Sequence, residues 1–158
     1  MGEVAVEWRN PVGHYKDREK AAATFKGVDG ARYSLPGELA TVEADGTLRL
    51  LGRGSMCINT GGEKVFPEEV EEALKTHPSV RDAVAVGVPD ERFGQAIVAM
   101  VEANPGDTID EASGIAHVKT KLASFKAPRR VLAVDTIGRA ANGKVDYKRL
   151  TQEAEARV

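Results

Sequence analysis

The sequence holds a single cysteine, Cys57, so no internal disulfide can brace the fold. Aromatic residues are only 5% of the chain, which points to an aliphatic core of Val, Leu, Ile and Ala. No run of about 18 apolar residues is present, so no integral membrane segment is expected. Positive charge has no excess: 22 Lys and Arg stand against 24 Asp and Glu, for a net charge of −2, which leaves no cationic footprint for nucleic acid. His14, His77 and His117 lack metal-ligand spacing and read as surface or helix-end residues, and Cys57 as a small buried hydrophobe. No secretory signal pattern is visible, and a cytoplasmic location is the expectation.

What remains is an ordinary globular composition, 42% hydrophobic and 29% charged over 158 residues, enough for one good core or one modest domain with an appendage. Met1-Gly2 runs directly into the strand-like stretch Glu3 to Trp8, as if the chain were entered mid-domain. Asp17 to Phe25 is rich in helix formers, and Lys26-Gly27 is a stop signal. Leu39 to Val42 and Thr47 to Leu50 flank Ala44-Asp45-Gly46, a strong hairpin pattern. Gly54, Gly61 and Gly62 among small polar residues predict an extended, bendable connection over 53–66, with a boundary near Arg53 to Met56.

The second part of the chain reads as helix, strand, strand, helix, strand, helix. Pro67 suits a first helical position, Glu68 and Glu69 suit the helix dipole, and Val70, Ala73 and Leu74 share a face in a helix ending before Pro78. Val84, Val86 and Val88 alternate with Ala83, Ala85 and Gly87, and Ala96 to Val101 is apolar throughout, which predicts a buried antiparallel pair turning through Pro89 to Gly94. Thr108 and Glu111 form a capping box for a helix carrying Ile115, Val118 and Leu122. A strand at Val131 to Val134, a loop through Gly138 and Gly143, and a helix from Asp146 to Ala156 complete the order. This is an α+β domain of about 100 residues, with a mixed or antiparallel sheet packed by helices.

Three constellations carry possible chemistry. In Asn59-Thr60-Gly61-Gly62-Glu63-Lys64 the paired glycines let a ligand approach the backbone and the charges orient it, although a tight turn is the ordinary reading. Gly138 to Lys144 is a flexible loop presenting a lysine beside a glycine. Such a lysine can reach a phosphate, although most loop lysines are simply solvated, and the spacing is not that of a P-loop. The third is Glu38 and Arg53 at the ends of the hairpin region, by default an exposed ion pair.

In order, these pieces resemble the C-terminal third of the adenylate-forming superfamily, which includes acyl-CoA synthetases, peptide-synthetase adenylation domains and firefly luciferase. Gly13-His14-Tyr15-Lys16-Asp17-Arg18-Glu19-Lys20 is similar to the family's Gly-Tyr-Tyr-x-Asp-x-Glu-x-Thr, and Pro36-Gly37-Glu38-Leu39 stands in the place of its Thr-Gly-Asp. Gly52-Arg53, then Gly61-Gly62-Glu63-Lys64-Val65-Phe66-Pro67 with Glu71, then Leu122 to Pro128, then Asn142-Gly143-Lys144 continue the series. The Gly-Glu-Lys-Val-Phe-Pro form resembles fatty-acyl or aryl CoA ligases more than acetyl-CoA synthetase.

The resemblance implies a two-step reaction in which a carboxylate attacks ATP to give acyl-adenylate and pyrophosphate, and coenzyme A then displaces AMP. It implies that residues 1–53 end a large N-terminal domain as a β-rich remnant, and that residues 54–158 form the small C-terminal cap. By motif, Glu38 would bind the ribose hydroxyls, Arg53 would lie near the ribose and phosphate at the hinge, and Lys144 would contact the carboxylate and α-phosphate. Gly61 and Gly62, flanked by Glu63 and Lys64, would line the pantetheine tunnel. Mg2+ would accompany ATP on ligands outside this sequence. Two positions depart from the pattern: Glu38 is one methylene longer than the usual Asp, and Ser55 stands at the hinge where Asp or Lys is common. The expected substrate is a fatty acid, and the chain by itself is expected to be inactive. Two alternatives remain: a free-standing binding module of the same fold, and an adenylation domain serving a carrier protein.

Overall fold

The computed structural model describes residues 1–7 and 11–158, so Trp8, at the end of the expected first strand, lies outside the described residues. The chain forms two compact units, Met1–Met56 and Cys57–Val158.

In order along the first unit are β1 (Gly2–Glu3), β2 (Val6–Glu7), α1 (Arg18–Thr24), β3 (Phe25–Val28), β4 (Ala31–Ser34), β5 (Glu38–Val42) and β6 (Leu48–Arg53), followed by a 3-10 turn at Gly54–Met56. They make two three-stranded antiparallel sheets, β1-β5-β6 and β2-β4-β3. The expected hairpin is β5–β6, and its turn is fixed because Asp45 Oδ1 accepts from both the Thr47 N–H at 3.0 Å and the Thr47 hydroxyl at 2.7 Å. The helix stop falls earlier than Lys26-Gly27. Both residues lie in β3, and α1 is a short helix whose N-cap, Asp17, accepts the Lys20 N–H. The β3–β4 hairpin turns through Asp29 (φ 50°) and Gly30 (φ 81°), a second Asp-Gly turn in the left-handed pairing that hairpins favour.

The second unit runs β7 (Ile58–Thr60), β8 (Glu63–Val65), α2 (Pro67–Lys75), β9 (Val80–Asp90), β10 (Gly94–Ala103), α3 (Glu111–Lys121), a 3-10 turn at Ser124–Lys126, β11 (Arg130–Val134) and α4 (Tyr147–Glu155). The sheet is mixed. β10 pairs antiparallel with β9 along its whole length, parallel with β11 over 98–102, and antiparallel with β7 at Gly94↔Thr60. The expected bendable connection is in part a hairpin, since β7 and β8 pair around Gly61-Gly62.

Alternation sorts the side chains of β9 and β10 onto two faces. Ala83, Ala85, Ile97, Ala99 and Val101 pack under α2 and α3 with Val70, Leu74 and Val118. Val84, Val86, Val98 and Met100 pack under α4 with Ile137 and Leu150. The sheet is thus covered on both sides, which is why the core strands read as nearly continuous apolar runs. The expected capping box of α3 is replaced by an Asp110 cap, whose carboxylate accepts the Ser113 N–H at 2.9 Å. Glu111 instead accepts from Arg130 Nε at 2.7 Å and the Val131 N–H at 3.1 Å, because tying α3 to β11 satisfies two donors at once.

Candidate functional site

Lys144 closes a tight loop between β11 and α4. The Gly143 N–H donates to the Ala140 carbonyl at 2.8 Å, the Ala140 N–H donates to the Lys144 carbonyl at 2.9 Å, and the Lys144 N–H donates to Asn142 Oδ1 at 3.1 Å. Gly143 sits at φ 78°, where a side chain would be strained. The internal shape of the turn that bears Lys144 is therefore set by these bonds. The Lys144 side chain is exposed and has no hydrogen-bond or ion-pair partner among the described residues, leaving a cation on a long stem available to an anion.

The Gly61-Gly62 turn is built for close approach. Both glycines have positive φ (60° and 86°), and the Gly61 N–H donates to the Phe93 carbonyl at 2.9 Å. A Cβ on Gly61 would come within 3.2 Å of Phe93 Cδ1, whereas one on Gly62 would meet nothing within 4 Å, so Gly62 faces open space. Thr60, Gly61 and Glu63 border a cleft of about 530 Å³ that Phe93, Phe125 and Arg129 also line. The Arg129 guanidinium lies 4.1 Å from the centre of the Phe93 ring, and Phe125 is 45% exposed. Glu63 and Lys64 are exposed on β8. Aromatic faces, guanidinium and open backbone suit a ligand with a planar group and negative charge.

These two features lie at opposite ends of one strand. The glycine hairpin pairs with β10 at Gly94, whereas the Lys144 loop is tied through Arg139 to Asp82, which pairs with Glu102. Eight steps along the strand take Gly94 to Glu102, a span of about 26 Å.

In the first unit Glu38 and Arg53 are direct partners across β5–β6, yet no ion pair joins them; the hairpin's ion pair is Arg49 with Glu43 at 3.2 Å. Ser55 belongs to the 3-10 turn, and its side chain lies outside the described residues. Cys57 is half-buried, and burial pushes its thiol pKa up, which favours the inert thiol. His77 and His117 stack edge to face with ring centres 5.1 Å apart, and His14 packs on Phe25. Among the described residues no group of three or more His, Cys, Asp or Glu is placed to hold a metal.

Sequence reasoning names Glu71 and Arg139 only as members of motifs and gives neither a partner; the structure supplies the partners, Asp82 and Tyr147. Arg139 grips Asp82 with two hydrogen bonds, Nε–Oδ2 at 2.6 Å and Nη2–Oδ1 at 2.9 Å. Glu71, only 4% exposed, accepts from the Tyr147 hydroxyl at 3.2 Å and from the Ala85 N–H at 3.1 Å. Both pairs span more than fifty residues, so no local pattern announces them.

Residues 69–144 match the family described as AMP-binding enzyme C-terminal domain. The chain is 51% identical, over 98% of its length, to a medium/long-chain-fatty-acid–CoA/3-oxocholest-4-en-26-oate–CoA ligase of Mycolicibacterium smegmatis, of which it covers 29%. It thus spans less than a third of the length of such relatives. Among solved structures it superposes on the amide bond synthetase McbA of Marinactinospora thermotolerans with a TM-score of 0.86 at 32% identity, covering 97% of this chain and 30% of that one. It superposes on ATP-bound MatB of Rhodopseudomonas palustris with a TM-score of 0.77 at 32% identity, covering 91% and 28%. By sequence and fold together, the chain belongs to the adenylate-forming enzymes, with residues 69–144 in their AMP-binding enzyme C-terminal domain.

Proposed function

We propose that this sequence is the C-terminal part of an ATP-dependent acyl-CoA ligase acting in the cytosol. The substrate would be a bulky apolar carboxylic acid of the fatty-acid or steroid-acid class that the relatives' names state. The observation that carries the reading is the pair of ligand-ready features at the two ends of β10: an exposed Lys144 whose side chain has no partner among the described residues, on a tightly turned loop, and an open Gly61-Gly62 turn beside an aromatic, cationic cleft.

In this reading Lys144 acts on adenylation. Its ammonium lies where negative charge develops as the carboxylate oxygen attacks the α-phosphate, and such a contact is typically worth about 3 to 4 kcal/mol. Glu38 and Arg53, adjacent across β5–β6, address the ribose and phosphate of the adenylate, with Mg2+ arriving with ATP. Gly61 and Gly62, with Glu63 and Lys64 beside them, admit the pantetheine arm of coenzyme A in the second step. Residues 1–53 then end the large domain, and Arg53 with Ser55 forms the hinge.

The test separates the half-reactions in a full-length ligase carrying this sequence. Lys144→Ala should slow acyl-adenylate formation by about 100-fold or more, while thioester formation from supplied acyl-adenylate and coenzyme A stays near the parental rate. Gly62→Leu should do the reverse. Equal loss in both steps for Lys144→Ala, or loss in neither, overturns the assignment.

A further inference from the structure

The Lys144 side chain has no hydrogen-bond or ion-pair partner among the described residues, so something else must decide where its ammonium points from. The turn that bears it is held by Arg139, whose guanidinium makes three hydrogen bonds in two directions. Nε and Nη2 grip both carboxylate oxygens of Asp82 on β9, at 2.6 and 2.9 Å, and Nη1 donates to the Gly143 carbonyl at 3.3 Å, on the residue before Lys144. Asp82 is itself anchored, because its Oδ1 accepts the Ala83 N–H at 2.9 Å and Lys75 Nζ lies 4.0 Å away. The side chains of Asp82 and Arg139 are 18% and 33% exposed, so the pair is largely shielded from water. Burial alone would raise the Asp82 pKa, but the hydrogen bonds and charge of Arg139 outweigh it and hold the carboxyl below the usual range.

From this geometry we propose that Arg139 and Asp82 are positioning residues for adenylation: Asp82 orients the Arg139 fork, and the fork fixes the Gly143-Lys144 backbone. The inference rests on the reading of Lys144 as the adenylation cation. A bidentate fork is rigid in a way that a lysine or a single hydrogen bond is not. Beyond it the loop's own ties are short-range: two turn bonds and the Asn142 cap. Once the fork is gone, the loop stays attached at Ile137, whose N–H donates to Glu102 Oε2 at 3.0 Å, and at Tyr147, but its tip is free to move. Displacing a reacting group by about 1 Å can cost on the order of 100-fold in rate.

The experiment uses Asp82→Asn and Arg139→Gln, with Asp82→Glu as the conservative rescue. In the 158-residue chain, amide exchange and 15N relaxation of residues 140–144 report the loop directly, and β9–β10 amides report the fold. The expected result is faster exchange and lower order at 140–144 in both variants, with β9–β10 protection retained and Asp82→Glu partly restored. In the full-length ligase, adenylation should fall roughly 10- to 100-fold with the thioester step spared, and Asp82→Asn should add little on top of Lys144→Ala. An unchanged loop in both variants refutes the clamp. A mobile loop with undiminished adenylation refutes its positioning role, provided Lys144→Ala is itself slow. A silent Lys144→Ala overturns the reading of Lys144 instead, and the loop measurement still decides the clamp.

Discussion

Glu71 offers the sharpest test of how this small unit holds together. It is a carboxylate of α2 that is 4% exposed at the edge of the sheet, where among the described residues β9 pairs only with β10, and it supplies the Ala85 N–H with an acceptor that no described neighbouring strand provides. The same oxygen accepts the Tyr147 hydroxyl, so one atom joins α2, the free edge of β9 and the start of α4. Glu71→Ala orphans a buried N–H, costing about 1 to 3 kcal/mol, and removes a tyrosine hydrogen bond of about 1 kcal/mol. Relief from burying a carboxylate offsets part of this, leaving a net loss near 2 to 3 kcal/mol. For a unit of this size that lowers Tm by roughly 10 °C.

Glu71→Gln keeps the acceptor and removes the charge, so its cost should be about 1 kcal/mol or less at neutral pH. Burial pushes the Glu71 pKa up, with the Ala85 N–H, Lys75 and the Tyr147 hydroxyl pulling partly the other way. The folded state therefore binds its proton more tightly than the unfolded chain. The stability from this site is fully present below the unfolded value near 4.3 and is lost as pH rises through the folded pKa. Urea unfolding of parent, Ala and Gln variants between pH 4 and 7 provides the assay. The parent should lose ground to the Gln variant as pH rises. A parent-minus-Gln difference flat across that range, or an Ala variant within about 0.5 kcal/mol of the parent, would refute the reasoning.

Trypsin should cut first at or just after Arg53, in the junction between the two compact units, and leave a resistant core beginning near Cys57; uniform resistance across residues 1–56 would count against separable units. The His117 pKa is lowered by burial and by its neighbours His77 and Lys121. Its contribution is therefore present above the unfolded value near 6.5 and lost as pH falls through the folded one. Below that range the α2–α3 seam should exchange amides faster, and in His117→Gln that acid step should vanish. A step of unchanged size in the variant would assign it elsewhere.

Legibility followed locality. The strands Val80–Asp90 and Gly94–Ala103 were readable because both faces are buried and the sequence shows it. Asp146 and Pro67 mark helix starts because their effect is on the next turn of chain. The β7–β8 hairpin reads in sequence as an extended, bendable connection because its strands are three residues long, too short for an alternation pattern, although its paired glycines are the turn itself. Thr108 and Glu111 matched a capping box, but Arg130 and Val131, distant in sequence, claimed the Glu111 carboxylate. At the candidate site, glycines and lysine were visible as motifs, whereas Asp82 and the Phe93–Arg129 stack were not, since each depends on a partner at least 36 residues away.

The ladder also bears on how one small unit would serve the two half-reactions proposed above. Register fixes the Gly94 and Glu102 ends of β10 relative to each other, and the β9 partner runs alongside without a break until Glu102/Ala103. A strand held on both sides by hydrogen bonds and packed on both faces does not bend easily, so the glycine turn and the lysine loop cannot approach one another by local adjustment. A ligand that needs both features in sequence must therefore meet them one at a time, by movement of the whole unit. Under that proposal the motion is assigned to the chain before Cys57 rather than to the sheet. In the proposed cycle the hinge at Arg53 and Ser55 carries that demand. In that cycle the uncharged Ser55 would leave the two proposed orientations to be selected by the proposed ligands, adenylate at the Lys144 end and pantetheine at the Gly62 end. Each ligand then shifts the balance only by its differential affinity for the two orientations.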